Sequence, residues 1–333
     1  MKRTSLQDIA NKLDVSKGTV SLVLSGKVKG GRVSEDMCKK VREAAKMMNY
    51  QPNEIARSLS TGMTMSIGVV VTDISNEFYG HLVFYIQEQA KKYGYTVITT
   101  NTNESLEEFE NQTTILLNKQ IDGIIVVPVD NGQEVVEKII NSRVPMIQID
   151  RYYPDINANY IIVDNYSASC EITELLIDKG CRRIAFICYD INLNSMQERQ
   201  RGCSDVLKRH GLFDPELVKY IDYSNQEEDI RQAIISLKNN PDKIDAIFFC
   251  SRKAFVSGIR YIRQEKIKIP DEIQVICFDK IETFADIPIN YIEQPIKEMG
   301  KKAVDILMEQ INGSTQIQQQ IFNAKLGVVD NSI

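Results

Sequence analysis

Four aspartates stand at the ends of apolar runs: Asp73 after SIGVVVT, Asp150 after PMIQI, Asp190 after IAFICY and Asp279 after QVICF. Arg151 follows Asp150, and Arg199 lies beyond Asp190, near the start of a helical pattern. Phe78, Tyr79 and Tyr223 lie near other run ends. Carboxylates and a guanidinium hydrogen-bond hydroxyls or ring heteroatoms in pairs, and aromatic rings pack on an apolar ring face. That set suits a sugar or a nucleobase. Any one of these aspartates reads equally well as a loop cap, so the weight lies in their joint occurrence. Nothing proposes a reaction: GVVVTD lacks the glycines that admit a pyrophosphate, and no phosphate loop, GxSxG elbow or HExxH is present. The chain is expected to be no enzyme and to use no cofactor. His81 and His210 lie outside any Cys/His cluster and the seven cysteines form no CxxC pair, so no metal site is expected and the thiols are expected to be reduced.

A different chemistry sits in residues 4–25, TSLQDIANKLDVSKGTVSLVLS. Leu6, Ile9, Ala10 and Leu13 form one helical apolar stripe, with Ser5 and Asp8 spaced as a capping box. Asp14 stands where the chain must turn, and Ser16 can cap a second helix that sends Val20, Val23 and Leu24 inward. Lys17, Gly18, Thr19, Ser21 and Leu22 are left near the outer face. A helix with small, polar and basic residues in its first turns, braced by another, suits the DNA major groove. The plain alternative is a helical hairpin with no such role. Charge favours the first reading. Residues 1–62 carry 12 Lys+Arg against 6 Asp+Glu, a local +6, and the remainder carries 28 against 39, a local −11; together they give the net −5.

The elements that must hold these groups follow in order. GKVKGGRV is a basic loop in which Lys27, Lys29 and Arg32 can lie along phosphates. A third helix spans about Ser34 to Asn49, and Pro52 breaks it. Asn53 can cap a short helix over 54–60, too short to stand alone, which suits a hinge that folds against DNA. From Met65 strand and helix alternate: SIGVVVT, a helix over 79–93, TVITTN, a helix over 106–119, DGIIVVP, a helix over 133–141 and PMIQID. The alternation repeats through YIIVDN, RRIAFIC, VKYIDY, DAIFFCS and EIQVICFD. A helix over 295–311 precedes a Gln-rich segment and a strand-like KLGVV. Two doubly wound α/β halves imply a cleft, with ligands outside the carboxyl ends of the strands. No apolar run approaches the ~20 residues of a membrane helix, and MKRTSLQDIA has no apolar signal region, so a cytoplasmic location is expected.

These residues resemble the lactose-repressor (LacI/GalR) family of bacterial transcription regulators. The matching pieces include SLQDIANKLDVSKGTVSLVLSGK, VSEDMCKKVREAAKMMNYQPNEIARSLSTG, SIGVVVTDISNEFY, VPMIQIDR, ERQRGC and KIPDEIQVICFD. The resemblance implies a small all-α helix-turn-helix domain over 1–50, a hinge over 51–62 and a two-lobed α/β domain of periplasmic-binding-protein type over 63–333. Its first lobe is expected over about 63–161 plus 294–318, its second over about 162–293 plus 319–333. It implies a homodimeric repressor of a carbohydrate-use operon, whose affinity for a pseudo-palindromic double-stranded operator is altered by a sugar or sugar phosphate held between the lobes. The alternative is a sugar-binding protein without DNA function.

Carried over by resemblance, Lys17, Gly18 and Leu22 read base edges, with Ser16 at the same helix start. Thr4 or Ser5, Thr19 and Ser21 contact phosphates, Asn53 and Ala56 lie in the minor groove, and Leu59 is the apolar wedge that kinks the central step. Phe78, Tyr79, Asp150, Arg199, Tyr223, Ser251 and Asp279 are the implied effector residues, Arg199 matching an RxxG motif completed by Gly202. The chain departs from the family pattern at Leu22 (usually Arg), Glu77 (usually Pro), Ser251-Arg252 (usually Asn-Asp) and Cys181 (commonly His). The cation at Arg252 points toward an acidic or phosphorylated sugar. Leu22 offers apolar contact, for instance to a thymine methyl, where arginine would clamp guanine. The operator half-site is therefore expected to lack the guanine dependence that such an arginine confers. Base-by-base substitution in gel-shift titrations checks this; a strict guanine requirement at that position overturns it.

Overall fold

The computed structural model describes residues 4–26, 28, 32–52, 58, 59, 61–281 and 287–327. Two compact units divide at Thr64/Met65. The first contains α1 (Leu6–Leu13), α2 (Lys17–Leu24) and α3 (Glu35–Met47). The Ser5–Asp8 capping box forms, and Asp14 takes the left-handed conformation at φ 54 that closes the turn. Ser16 and Ser34 cap α2 and α3 through their side chains. Each such cap contributes about 1 kcal/mol, which matters where the core is only Ile9, Ala10, Val20, Val23, Val41, Ala44 and Ala45 with half-buried neighbours. α3 stops at Met47, short of the expected Asn49, because Asn49 turns left-handed at φ 46. Lys27, Lys29, Asn53 and Ala56 lie outside the described residues, as does most of the expected hinge helix.

The second unit carries two six-stranded sheets. In chain order its elements are β1 (Ser66–Val71), α4 (Glu77–Lys92), β2 (Thr96–Asn101), α5 (Leu106–Asn118), β3 (Gly123–Val126), α6 (Gln133–Asn141), β4 (Met146–Ile149) and β5 (Asn159–Val163). Then come α7 (Asn165–Asp178), β6 (Ile184–Tyr189), α8 (Asn194–Arg209), β7 (Val218–Ile221), α9 (Gln226–Lys238), β8 (Ala246–Phe249), α10 (Arg252–Gln264), β9 (Gln274–Phe278) and β10 (Asn290–Glu293). The unit ends with α11 (Ile296–Ile311), β11 (Gln319–Phe322) and β12 (Lys325–Gly327). The first sheet runs β11-β5-β4-β3-β1-β2 and the second β12-β10-β9-β8-β6-β7. Among the described residues every pairing is parallel except β12 against β10. β3, β4, β6 and β8 are buried throughout, as helix-covered parallel strands built of apolar runs must be.

The lobe boundaries differ from expectation. The Gln-rich segment contains β11, which pairs with β5 in the first sheet, so 319–322 belongs to the first lobe rather than the second. Its alternate residues are exposed, an edge-strand pattern that a polar composition permits. The first lobe's β5 also runs to Val163, beyond the expected 161. Among the described residues the chain thus crosses between lobes three times: from β5 to α7, from β10 to α11 and from β11 to β12.

Helices α7 and α8 meet closely at Gly202. A Cβ there would lie 2.5 Å from the Tyr166 carbonyl oxygen and 2.9 Å from the Ser169 Cβ. The glycine lets α8 approach until Arg199, one turn earlier, reaches Asn165 of α7 at 2.8 Å. Because backbone is the obstacle, Gly202→Ala is expected to cost about 1–3 kcal/mol and lower the thermal midpoint measurably. An unchanged midpoint overturns the close-packing account.

Candidate functional site

The strand ends of the two sheets meet across a cleft in the second unit. β1 delivers Thr72 and Asp73, the turn after β2 delivers Glu104, and β4 delivers Asp150 and Arg151. From the other sheet come Tyr189, Ser251 and Asp279 at the ends of β6, β8 and β9, with Tyr223 beyond β7. Arg199 enters from α8, and Gln294 from the segment that crosses between the lobes. The space enclosed is about 50 Å³. All seven expected effector residues line it: Phe78, Tyr79, Asp150, Arg199, Tyr223, Ser251 and Asp279. Asp190 does not; it is exposed, and its backbone N–H pairs with Ile221, so it is an ordinary loop residue.

On the first lobe, Arg151 donates to both carboxylate oxygens of Glu104 at 2.8 Å and to the Pro128 carbonyl at 3.3 Å. Burial works against its charge, but Glu104, Tyr79 and Asp150 outweigh that and hold it firmly protonated. Tyr79 donates to Asp150 at 2.9 Å. Burial pushes the Tyr79 phenol well above its ordinary range, so it stays a donor. Phe78 packs edge-on against Tyr79 with centroids 5.0 Å apart.

On the second lobe, Arg199 is almost wholly buried. It donates to the Asn165 side chain at 2.8 Å and to the Cys250 carbonyl at 2.6 Å, and its guanidinium lies 3.4 Å above the Phe278 ring. Burial lowers its affinity for the proton, with Asp279 and Asp150 opposing. Asp279 accepts from Gln294 at 2.7 Å. Its pKa is pushed up to about 6, chiefly by burial, against the pull of Arg199 and Gln294. Asp150 and Asp279 both have positive φ, 70 and 108, and such backbone strain in non-glycine residues clusters at functional sites.

Ser251 has a second task, capping α10 through Ala254 N–H at 3.2 Å. Arg252, expected to bring a cation to the cavity, instead pairs with Glu77 of the other lobe and donates to the Lys280 carbonyl at 3.2 Å. The added cation in the cavity wall is Lys253, bonded at 3.0 Å to both Asp73 and the Tyr223 hydroxyl. Burial raises Asp73, yet its bonds from Ser75 and Lys253 bring it below the usual carboxylate range. Glu104, Lys253 and Gln294 were not anticipated. Glu104 shares the strand-end position that marks the aspartates; Gln294 sits in a crossing segment with no periodic signature.

In the first unit, Lys17, Gly18 and Ser21 are exposed on α2, while Thr19 and Leu22 are half-buried. Thr4 donates to the Met48 carbonyl at 2.8 Å, Ser5 is held in its capping box, and Ser16 shares a hydrogen bond with Thr19 at 2.9 Å. Leu59 is 82% exposed.

A small helical unit with a capped, exposed second helix, followed in the chain by a two-sheet α/β unit with a polar cleft, has the make-up of a two-part ligand-sensing regulator. Two family models match: "Bacterial regulatory proteins, lacI family" over residues 5–53 and "Periplasmic binding protein-like domain" over 173–330. The chain is 30% identical over 311 residues to the ribose operon repressor of Halalkalibacterium halodurans, spanning 92% of this chain and 90% of that one. It is similar to the lac repressor dimer bound to operator and the anti-inducer ONPF, with TM-score 0.85, 21% identity and 98% of each chain covered. A periplasmic binding protein/LacI transcriptional regulator from Alkaliphilus metalliredigens, complexed with D-xylulofuranose, matches at TM-score 0.70 and 25% identity, over 81% of this chain and 99% of that one. The chain belongs to the lacI family of bacterial regulatory proteins, and it is a DNA-binding transcriptional regulator of that family. No described helix is long and apolar enough to cross a membrane.

The Asp279 pKa gives a signed prediction. Its folded value, about 6, exceeds the ordinary 3.8, so its contribution to stability is full below about pH 4 and is lost as pH rises through 6. Asp279→Asn keeps the oxygen that accepts from Gln294 and removes the titration. Variant and parent should melt alike near pH 4, and by about pH 7.5 the variant should melt higher, by an amount on the order of 2–3 kcal/mol. Thermal unfolding across that range checks it; a gap that does not widen with pH refutes the assignment.

Proposed function

We propose that this chain represses a carbohydrate-use operon as a homodimer, and that a neutral monosaccharide held between its lobes alters its affinity for a pseudo-palindromic operator. The observation that carries the effector class is the charge count around the cleft. Asp73, Glu104, Asp150 and Asp279 face three cations, Arg151, Arg199 and Lys253, each already engaged. No surplus cation is left for a phosphate, and the carboxylates are acceptors for hydroxyls. This replaces the acidic or phosphorylated sugar inferred from Arg252, whose guanidinium is committed to Glu77. The named relatives favour pentoses: one is a ribose operon repressor, another was solved with D-xylulofuranose.

On the DNA side, Lys17, Gly18 and Leu22 are the proposed base readers, Ser21 and Lys29 phosphate contacts, and Asn53, Ala56 and Leu59 the hinge contacts. A Cβ on Gly18 would meet only Ser16 Oγ, at an ordinary 3.6 Å, so packing within the unit does not require glycine there. Close approach of a duplex does. The engaged hydroxyls of Thr4, Ser5 and Ser16 leave them positioning roles. Effector-stabilised lobe closure changes operator affinity by a coupling of ~1–3 kcal/mol.

Thermal-shift titration with ribose, xylulose and their phosphates, then gel shift on the chain's own promoter, tests both halves. A neutral pentose should raise the melting midpoint and change operator affinity about 5- to 150-fold, the phosphates should do neither, and Leu59→Ala should weaken specific binding far more than nonspecific. Stabilisation by the phosphates alone refutes the effector class; no promoter binding under any condition refutes the regulator.

A further inference from the structure

Two departures of the sequence from its family pattern, Glu77 and Arg252, lie on opposite lobes and pair with each other. Glu77 opens α4 and Arg252 opens α10. A helix N-terminus favours negative charge and disfavours positive. Glu77 is therefore well placed on its own helix, whereas Arg252 and Lys253 both stand in the wrong end of theirs, whose first turn holds no acidic residue. Each is compensated from the other lobe, Arg252 by Glu77 and Lys253 by Asp73 at 3.0 Å. The Arg252 side chain is only 10% exposed, so its charge relies on that partner more than a surface cation would.

The same residues separate two spaces. Asp73 and Lys253 line both the inner cavity of about 50 Å³ and an outer one of about 360 Å³, which Glu77, Arg252 and Arg260 also border. We propose that Glu77–Arg252 and Asp73–Lys253 form an ionic latch between the lobes, and that its release joins the inner cavity to the outer one and admits ligand. This goes beyond the proposed function: it requires neither a particular effector nor DNA.

The test is a charge cycle on the full chain, read by amide hydrogen exchange in residues 73–79 and 251–256, with no ligand or DNA added. Glu77→Gln and Arg252→Gln should each speed exchange about fivefold, and the double variant no more than either alone. The swap, Glu77→Arg with Arg252→Glu, should recover most of the protection. Raising NaCl from about 0.05 M to about 0.5 M should speed exchange in the unmodified chain, and less so in the neutral double variant, which keeps only the Asp73–Lys253 pair. Salt-insensitive exchange in the unmodified chain overturns the latch without any variant. So do additive effects of the two single changes, or a swap as fast as the singles.

Discussion

The second lobe depends on how the Arg199 charge is kept out of water. An unpaired guanidinium at that depth would be costly, so its Nε donates to the Asn165 side chain at the start of α7, one Nη donates to the Cys250 carbonyl at the end of β8, and the face of Phe278 from β9 covers its plane. One side chain thereby ties together two strands and two helices around the cleft. The attraction of Arg199 also acts on Asp279, where it favours the ionised form. That carboxylate is buried with the arginine rather than solvated, and burial outweighs the attraction, leaving its proton more tightly held than usual. A ligand hydroxyl donating to Asp279 would add to the hydrogen bond from Gln294 and favour the ionised form.

This dependence runs back to a glycine. Arg199 reaches Asn165 only because Gly202 lets α8 lie against the backbone of α7. The arginine and glycine of the RxxG pattern do different jobs: one faces the cleft, the other faces the neighbouring helix. A sequence motif of this kind records a packing distance and a chemical group together, and spacing them three apart places both on one side of a single turn.

Much of this was legible in the residues. Apolar, β-branched runs ending in aspartate located the strand ends, and a doubly wound topology puts such ends at one edge. That reasoning found Asp73, Asp150 and Asp279. It failed for Asp190, because an aspartate at a strand end can as well turn outward. It failed too for β11, since a strand pairing on one side only needs little apolar content, and QQIF carries no strong alternation. Arg252 was misjudged for a reason sequence cannot supply. Adjacent residues at a helix start diverge, so Lys253 faces the cavity while Arg252 crosses to Glu77.

Among the described residues, three crossing segments join the two lobes. Each lobe has its own sheet, but the first lobe's core also takes in Leu193, with Ile191 against it, from the segment after β6, so a relative motion of the lobes must move those side chains. The strain of that motion falls on the segments after β5, β10 and β11. Gln294 lies in one of them and bonds Asp279 directly. A change in how Asp279 is bound is therefore felt at a crossing segment without an intermediary. The first lobe also carries β1, the strand that follows directly from Thr64, where the DNA-reading unit ends. Whatever rotates that lobe turns Met65, the residue at which the chain leaves the first unit.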